Sequence, residues 1–95
     1  MTKFTPETVF RKSAELLESD VDDEIVALDV NKGQCYGLNL VGSRVWRLLE
    51  TPTSLQDICS TLQEEYEVES EVCRGEVERL LADLQSEGLV EVQTP

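Results

Sequence analysis

Residues 32–46 constrain the fold most, because a turn, a short strand and a helix start follow one another there without a linker. Lys32-Gly33 is typical of a turn, Gln34–Leu38 of a strand, and Asn39 of a helix N-cap. A strand this short that runs straight into a helix is expected to close its sheet. Its unpaired backbone N–H and C=O groups could then accept a peptide as a further strand. The segment favours a peptide-binding adaptor over an enzyme.

The rest of the first half also predicts extended structure. Candidate strands are Val9–Lys12, Ala14–Glu18 and Glu24–Asp29, and the polar residues 19–23 predict a turn before the third of these. Together with Gln34–Leu38, these segments predict an antiparallel three-stranded meander.

The second half predicts three helices. The first follows Asn39, and its helically spaced apolar residues are Leu40, Val41, Val45, Leu48 and Leu49. Thr51-Pro52-Thr53 ends it, and Ser54 is the expected cap of a second helix that reaches Tyr66. The third is expected from Ser70 to Glu87, with Gly88 as its stop and a short extended piece, Leu89–Val92, after it.

The third helix carries a narrow apolar stripe when its residues are placed at about 100° intervals. The stripe consists of Cys73, Val77, Leu80 and Leu84. Leu81 lies to one side of this stripe, on the same flank as Arg74, Glu78 and Gln85. Two interpretations are open: a solvated core edge, or one wall of a groove whose other wall is the strand Gln34–Leu38.

Composition excludes several classes of function. The 95 residues carry a net charge of −12, and residues 52–95 contribute eleven acidic against two basic side chains. Such a surface repels nucleic acid and anionic lipid, because binding to phosphate needs clustered Lys and Arg. There is no apolar run long enough to span a bilayer and no signal-peptide pattern, so we expect a cytoplasmic protein.

No combination of residues supports catalysis or a cofactor. The chain has no histidine, no nucleophile elbow and no phosphate-binding glycine loop. Residues 20–24 resemble a calcium loop only faintly, because Ile25 stands where such a loop needs glycine. The three cysteines are too widely spaced for a zinc motif, and we interpret them as reduced, packed thiols, including Cys73 beside Arg74.

The order and spacing of several short motifs resemble the PqqD-like family across residues 9–92. These motifs are Tyr36-Gly37-Leu38-Asn39, Val45-Trp46-Arg47-Leu48-Leu49, Ser54-Leu55-Gln56-Asp57-Ile58, Tyr66-Glu67-Val68 and the run from Val77 to Val90. The resemblance implies one α+β domain over 1–95, winged helix-turn-helix-like, with an N-terminal three-stranded antiparallel sheet followed by three helices. Family members recognise the leader peptides of ribosomally made, modified peptides.

The resemblance also implies where such a leader binds. It adds as a strand to the third strand and packs against the third helix. The implied contact residues are Gln34, Cys35, Tyr36, Gly37 and Leu38 on the strand, and Arg74, Val77, Glu78 and Leu81 on the helix. On this basis we expect Leu81→Asp and Gly37→Pro to weaken leader binding without unfolding the domain.

The free-standing chain is most similar to the recognition proteins of lasso-peptide pathways. The implied partners are a leader carrying an aromatic and a proline anchor and a separate leader peptidase or other modifying enzyme, with no cofactor, metal, membrane or nucleic acid. Two alternatives stay open at this point: a winged-helix DNA-binding regulator, and a structural module that dimerises through the same strand.

Overall fold

The computed structural model describes residues 4–13 and 16–93, which form six strands and three helices. The strands are β1 (Val9–Lys12), β2 (Leu16–Val21), β3 (Glu24–Asp29), β4 (Gln34–Gly37), β5 (Thr53–Ser54) and β6 (Val90–Gln93). The helices are α1 (Leu40–Leu48), α2 (Leu55–Glu65) and α3 (Ser70–Ser86). They confirm the expected α+β, winged helix-turn-helix-like class.

Strands β2, β3 and β4 form the predicted antiparallel meander, in that spatial order. β2 is longer than expected: Ser19 pairs with Val26 and Val21 with Glu24, so the turn predicted over residues 19–23 is wrong at its first three positions. Asp22 and Asp23, at φ 51° and 69°, make the turn alone. Two left-handed residues form the tight turn whose twist suits a hairpin, and aspartate tolerates that conformation. Residues 14 and 15, which begin the predicted strand Ala14–Glu18, lie outside the described residues.

A second sheet, with the order β5-β1-β6, was not predicted. β1 does form where expected, but it is not part of the meander. It pairs antiparallel with β6, with Phe10 opposite Val92. On its other side Phe10 lies opposite Thr53 of β5. The predicted extended piece after α3 is therefore the partner of the first strand, a pairing that unites the two ends of the described chain.

The helix termini use the side chains that the sequence indicates. Asn39 Oδ1 accepts a hydrogen bond from the Gly42 N–H (2.8 Å), and Ser54 Oγ accepts one from the Asp57 N–H (3.1 Å). These bonds satisfy backbone donors that the first turn of each helix leaves free. Both N-cap predictions are confirmed.

The end of α3 is a Schellman motif. Gly88 has φ +80°, and its N–H donates to the Gln85 carbonyl (3.0 Å) while the Leu89 N–H donates to the Leu84 carbonyl (2.8 Å). Glycine suits this position because it adopts the left-handed conformation without strain. The motif turns the chain so that Leu89 is buried and β6 returns toward β1.

One core is shared by both sheets and all three helices. Its most deeply buried large side chains include Phe10, Trp46, Leu49, Leu55, Ile58, Leu81 and Leu89. The predicted apolar face of α1 is wrong at its start, because Leu40 is 57% and Val41 46% exposed. The buried side of α1 instead contains Val45 and Trp46, together with Gly42 and Ser43.

Candidate peptide-binding site

Strand β4 lies at the edge of its sheet, and β3 is its only strand neighbour among the described residues. Just beyond β4, the Leu38 N–H donates to the Ile25 carbonyl (2.9 Å). Residue pairs of an antiparallel ladder alternate between bonded and non-bonded, so Tyr36 is bonded to its partner on β3 whereas Cys35 and Gly37 are not. The backbone N–H and C=O groups of Cys35 and Gly37 therefore point away from β3, toward the free edge.

The side chains of β4 alternate between the two faces of the sheet. Tyr36 is half-buried and packs against the core, and Leu38 is buried. Cys35 and Gly37 are exposed on the opposite face, and no atom lies within 4 Å of where a Cβ on Gly37 would sit. The edge backbone and one side-chain face of β4 are thus both accessible.

The start of β4 lies beside the C-terminal end of α3. Lys32 Nζ donates to the Glu87 carbonyl (3.1 Å), and the Tyr36 hydroxyl donates to Gln34 Oε1 (2.5 Å). Partial burial, followed by the nearby Glu87 carboxylate, raises the pKa of Tyr36 above its ordinary value. These contacts place the inner face of β4 next to the last turn of α3.

An apolar cleft of about 530 Å³ lies between the start of α1, the end of α2 and α3, and its lining on α3 ends at Asp83, four residues before Glu87. It contains much of the exposed apolar surface of the protein: Val41, Tyr66, Val68 and Val72 are 40–54% exposed. Asn39, only two residues beyond β4, lines its edge. A chain added to β4 and extended past Gly37 would reach this cleft.

The α3 wall of the cleft is formed by one flank of the helix. We call Val72, Glu76, Leu80 and Asp83, which line the cleft, together with Glu87 beside Tyr36, the facing flank. Leu80, which the sequence analysis assigned to the core stripe, is half-buried at this wall. Spacings of three and four residues put all five positions on the same side of α3.

The structure places the four predicted helix contacts differently from one another. Leu81 is 0% exposed and lies in the core, whereas Val77, 2% exposed, is buried but also lines the cleft. Arg74 and Glu78 form an ion pair (2.9 Å), and their charges act on Cys59 of α2, which places them on the α2 side of the helix. Angular placement put Leu80 in the core stripe and Leu81 on the flank, whereas in the structure Leu81 is fully buried and Leu80 is half-buried at the cleft, because the packing of α2 against α3 decides which side stays open.

Ser43 joins β3, β4 and α1 and was missed by the sequence analysis. Its side chain is fully buried, its Oγ accepts a hydrogen bond from the Ile25 N–H (2.8 Å), and its hydroxyl donates to the Leu38 carbonyl (3.1 Å). These bonds hold the end of β4 against the first turn of α1. A serine in a helix gives no sequence signal of such a role.

The remaining chemistry of the described residues is sparse. No group of three or more His, Cys, Asp or Glu side chains among residues 4–13 and 16–93 could hold a metal ion. Cys59 and Cys73 are buried and Cys35 is exposed, and all three are free thiols. Burial is the main cause that raises the pKa of Cys59 to about 11. In the part of the chain that the structure covers, every helix is too short or too polar to cross a membrane.

Comparison with known proteins identifies the family. Residues 24–90 match the family model of coenzyme PQQ synthesis protein D. The chain belongs to the PqqD family. This match covers β3 through the start of β6 and confirms the resemblance seen in the sequence motifs. Among curated proteins, none matches this PqqD-family chain significantly.

Solved structures agree with this assignment. TbiB1 in complex with the TbiA(beta) leader peptide is 29% identical, with a TM-score of 0.82 over 90% of this chain and 99% of that one. A lasso peptide synthetase B1 complexed with its leader peptide is 30% identical, with a TM-score of 0.75 over 86% and 96% of the two chains.

A more distant structure shows the same fold. It is the PqqD truncation of Methylobacterium extorquens PqqCD, described as a stand-alone recognition element for ribosomally synthesised, modified peptides. It is 17% identical, with a TM-score of 0.78 over 95% of this chain and 96% of that one. The PqqD fold therefore extends over nearly the whole chain.

Proposed function

We propose that this PqqD-family protein is a non-catalytic adaptor that binds the leader segment of a precursor peptide. The leader adds as a strand to β4 and packs against the facing flank of α3. The observation that carries this proposal is the free edge of β4, whose Cys35 and Gly37 backbone groups point outward beside an apolar cleft. The two relatives solved with leader peptides support it.

Two contributions to the binding free energy follow from this arrangement. Hydrogen bonds to the backbone of Cys35 and Gly37 are tolerant of sequence, because every peptide has the same main-chain groups. Specificity comes from side chains that enter the cleft, where Val41, Val72 and Leu80 offer apolar contacts. Since ordering a flexible leader costs free energy, one or two buried anchors are expected to dominate the affinity.

The adaptor delivers its bound leader to a processing enzyme, and we propose a lasso-peptide leader peptidase. The similarity to a lasso peptide synthetase B1 favours this pathway. Holding the precursor beside the enzyme raises the effective concentration of the substrate without any new chemistry in the adaptor. Reduced thiols, two of them buried, suit a cytoplasmic location.

Disulfide trapping through Cys35 tests the binding mode directly. A peptide that binds the protein is first selected from a library of random peptides of about 16 residues, a length sufficient for one strand and its flanks. A cysteine is then introduced at each position of this peptide in turn. Strand addition places alternate peptide residues on the face of Cys35, so crosslinking is expected at the position opposite Cys35 and, more weakly, two residues to either side of it, with none at the positions between. The variant Cys35→Ser should abolish all crosslinks, because the other two thiols are buried.

Two results would contradict the proposal. Crosslinks with a spacing of three to four residues would mean that the ligand binds as a helix. Failure to select any peptide that protects the backbone amides of Cys35 and Gly37 from hydrogen exchange would mean that β4 is not the site. Delivery has its own test: the protein, but not Gly37→Pro, should accelerate leader removal by a leader peptidase of a lasso-peptide pathway.

A further inference from the structure

Among the residues that the structure describes, six of the seven basic side chains have an ion-pair or hydrogen-bond partner. Five of them form ion pairs within 4 Å with carboxylates; they are Arg11, Lys12, Arg44, Arg47 and Arg74. Lys32 donates to the Glu87 carbonyl. Arg79 is the remaining basic side chain within residues 4–13 and 16–93, and its guanidinium group forms no ion pair with the carboxylates of these residues.

Two of the three carboxylates of the facing flank have no such partner. Glu76 and Asp83 line the apolar cleft, and neither takes part in an ion pair in the described part of the chain. Glu87 continues the row toward Tyr36, whose pKa is raised first by burial and then by this carboxylate. The connection from α2 to α3, which supplies Tyr66 and Val68 to the cleft, adds Glu67 and Glu69, and the first turn of α3 adds Glu71.

Salt screens these charges only in part. Glu76 and Asp83 are about 10 Å apart along the helix axis, which is close to the Debye length of about 8 Å at physiological ionic strength, so a cation bound between them lies within range of both. Apolar lining with two carboxylates and one cation, Arg79, which forms no ion pair with either, favours a ligand that is apolar and basic at once, since a neutral ligand would leave the carboxylates partly desolvated and unpaired.

We propose that the leader bound in this cleft carries a Lys or Arg side chain next to its apolar anchor, and that this cation pairs with Glu76 and Asp83. The inference rests on the proposed function and specifies the chemistry of its ligand. Arg79, three residues after Glu76 and four before Asp83, competes for the same carboxylates. The basic residue of the leader therefore has to outcompete Arg79 for these carboxylates, and it does so by contacting both of them.

Selection from the same random peptide library tests this inference. Peptides selected on the wild-type protein are expected to share an apolar residue and, at a fixed distance from it, Lys or Arg. Selection on the double variant Glu76→Lys, Asp83→Lys should replace that basic preference with Asp or Glu and leave the apolar preference unchanged. If the charge preferred in the selected peptides reverses when the charges of Glu76 and Asp83 are reversed, these two residues are the ones that contact the charged side chain.

Single variants give the matching affinities for one selected peptide. Glu76→Gln and Asp83→Asn should each weaken binding about two- to fivefold, the range of an exposed ion pair. Arg79→Gln should tighten binding about twofold, because a competing cation is removed. Glu64→Gln, which removes an equal charge from the exposed surface of α2 away from the cleft, should change the affinity by less than either acid. Higher salt should reduce the differences.

The outcomes separate this inference from the function on which it rests. Selected peptides that lose binding to Gly37→Pro but show no basic preference would overturn the inference and leave strand addition intact. The same holds if the basic preference survives the double charge reversal. If no peptide is selected at all, the result contradicts both this inference and the proposed function.

Discussion

At the scale of single residues, orientation decides what each side chain can do. Gly37 and Leu81 were both expected to contact a leader, yet they occupy opposite situations. Gly37 is exposed on an edge strand with its N–H directed away from β3, whereas Leu81 is fully buried. A substitution at the first position changes the binding surface, and a substitution at the second changes the core.

Gly37→Pro is expected to weaken leader binding about tenfold, which corresponds to about 1.4 kcal/mol, the size of one backbone hydrogen bond. Proline removes the outward N–H, but Gly37 is not bonded to its partner Val26, so the sheet keeps its ladder. Gly37→Ala is the matched control, because an added Cβ meets no atom within 4 Å. Calorimetry measures both, and equal affinities for the two variants would contradict the role of β4.

Leu81→Asp is now expected to unfold the protein, in contrast to the expectation from sequence. A carboxylate at a fully buried position loses the apolar contacts of leucine and its own hydration, a cost of at least about 3 kcal/mol. Urea denaturation measures the loss, and Leu81→Met, of similar volume, should retain most of the stability. A stable Leu81→Asp variant would mean that this part of α3 packs differently.

Val72→Asp tests the facing flank without touching the core. Val72 is 54% exposed, lines the cleft and is the third residue of α3, where an acidic side chain favours the helix dipole. Stability should therefore change by less than about 0.5 kcal/mol. Affinity for the peptide should fall several-fold, because an apolar contact is replaced by a charge, and an unchanged affinity would argue against this wall.

The three thiols should differ in reactivity. Cys35 is exposed, whereas Cys59 is buried and its pKa is raised to about 11, so it stays protonated at pH 8. Because the thiolate is the reactive form, an alkylating agent at pH 8 should modify Cys35 alone in the folded protein and all three cysteines in denaturant. Mass spectrometry counts the modified thiols, and fast labelling of Cys59 would contradict its burial.

At the scale of elements, local signals predicted the helices and most strands, and long-range packing decided the rest. Asn39, Ser54 and Gly88 act as expected because caps and stops depend on a few adjacent residues. The second sheet was missed, since pairing β1 with β6 depends on residues about eighty positions apart. The open flank of α3 was missed for the same reason: a helix pattern shows which side is apolar but not which neighbour covers its margins.

Ser43 provides a test at this scale, because it joins three elements. Ser43→Ala leaves the buried Ile25 N–H without its acceptor, which should lower the free energy of unfolding by about 1–3 kcal/mol. The control is Ser60→Ala, an exposed serine of α2, which should have little effect. Denaturant unfolding gives both values. If Ser43→Ala is as stable as the control, the link between β3, the end of β4 and α1 is not important for stability.

At the scale of the whole molecule, the distribution of charge separates the proposed adaptor from its rivals. A winged helix that binds DNA needs a basic recognition surface, whereas residues 52–95, which contain α2 and α3, have eleven acidic and two basic side chains. A dimer formed by pairing two β4 edges would occupy the same backbone groups as a leader. A bound peptide would therefore have to dissociate such a dimer, which light scattering detects.

Binding to duplex DNA is expected to be absent even at about 50 mM salt, where electrostatic attraction to phosphate is strongest. The net charge of −12 makes the encounter repulsive, and the one basic side chain of the cleft, Arg79, lies between two carboxylates in sequence. Fluorescence anisotropy with a labelled duplex and with a labelled leader peptide, under identical conditions, compares the two ligands. Saturable DNA binding that the peptide does not displace would favour the regulator, whereas peptide binding alone is the result that the edge of β4 predicts.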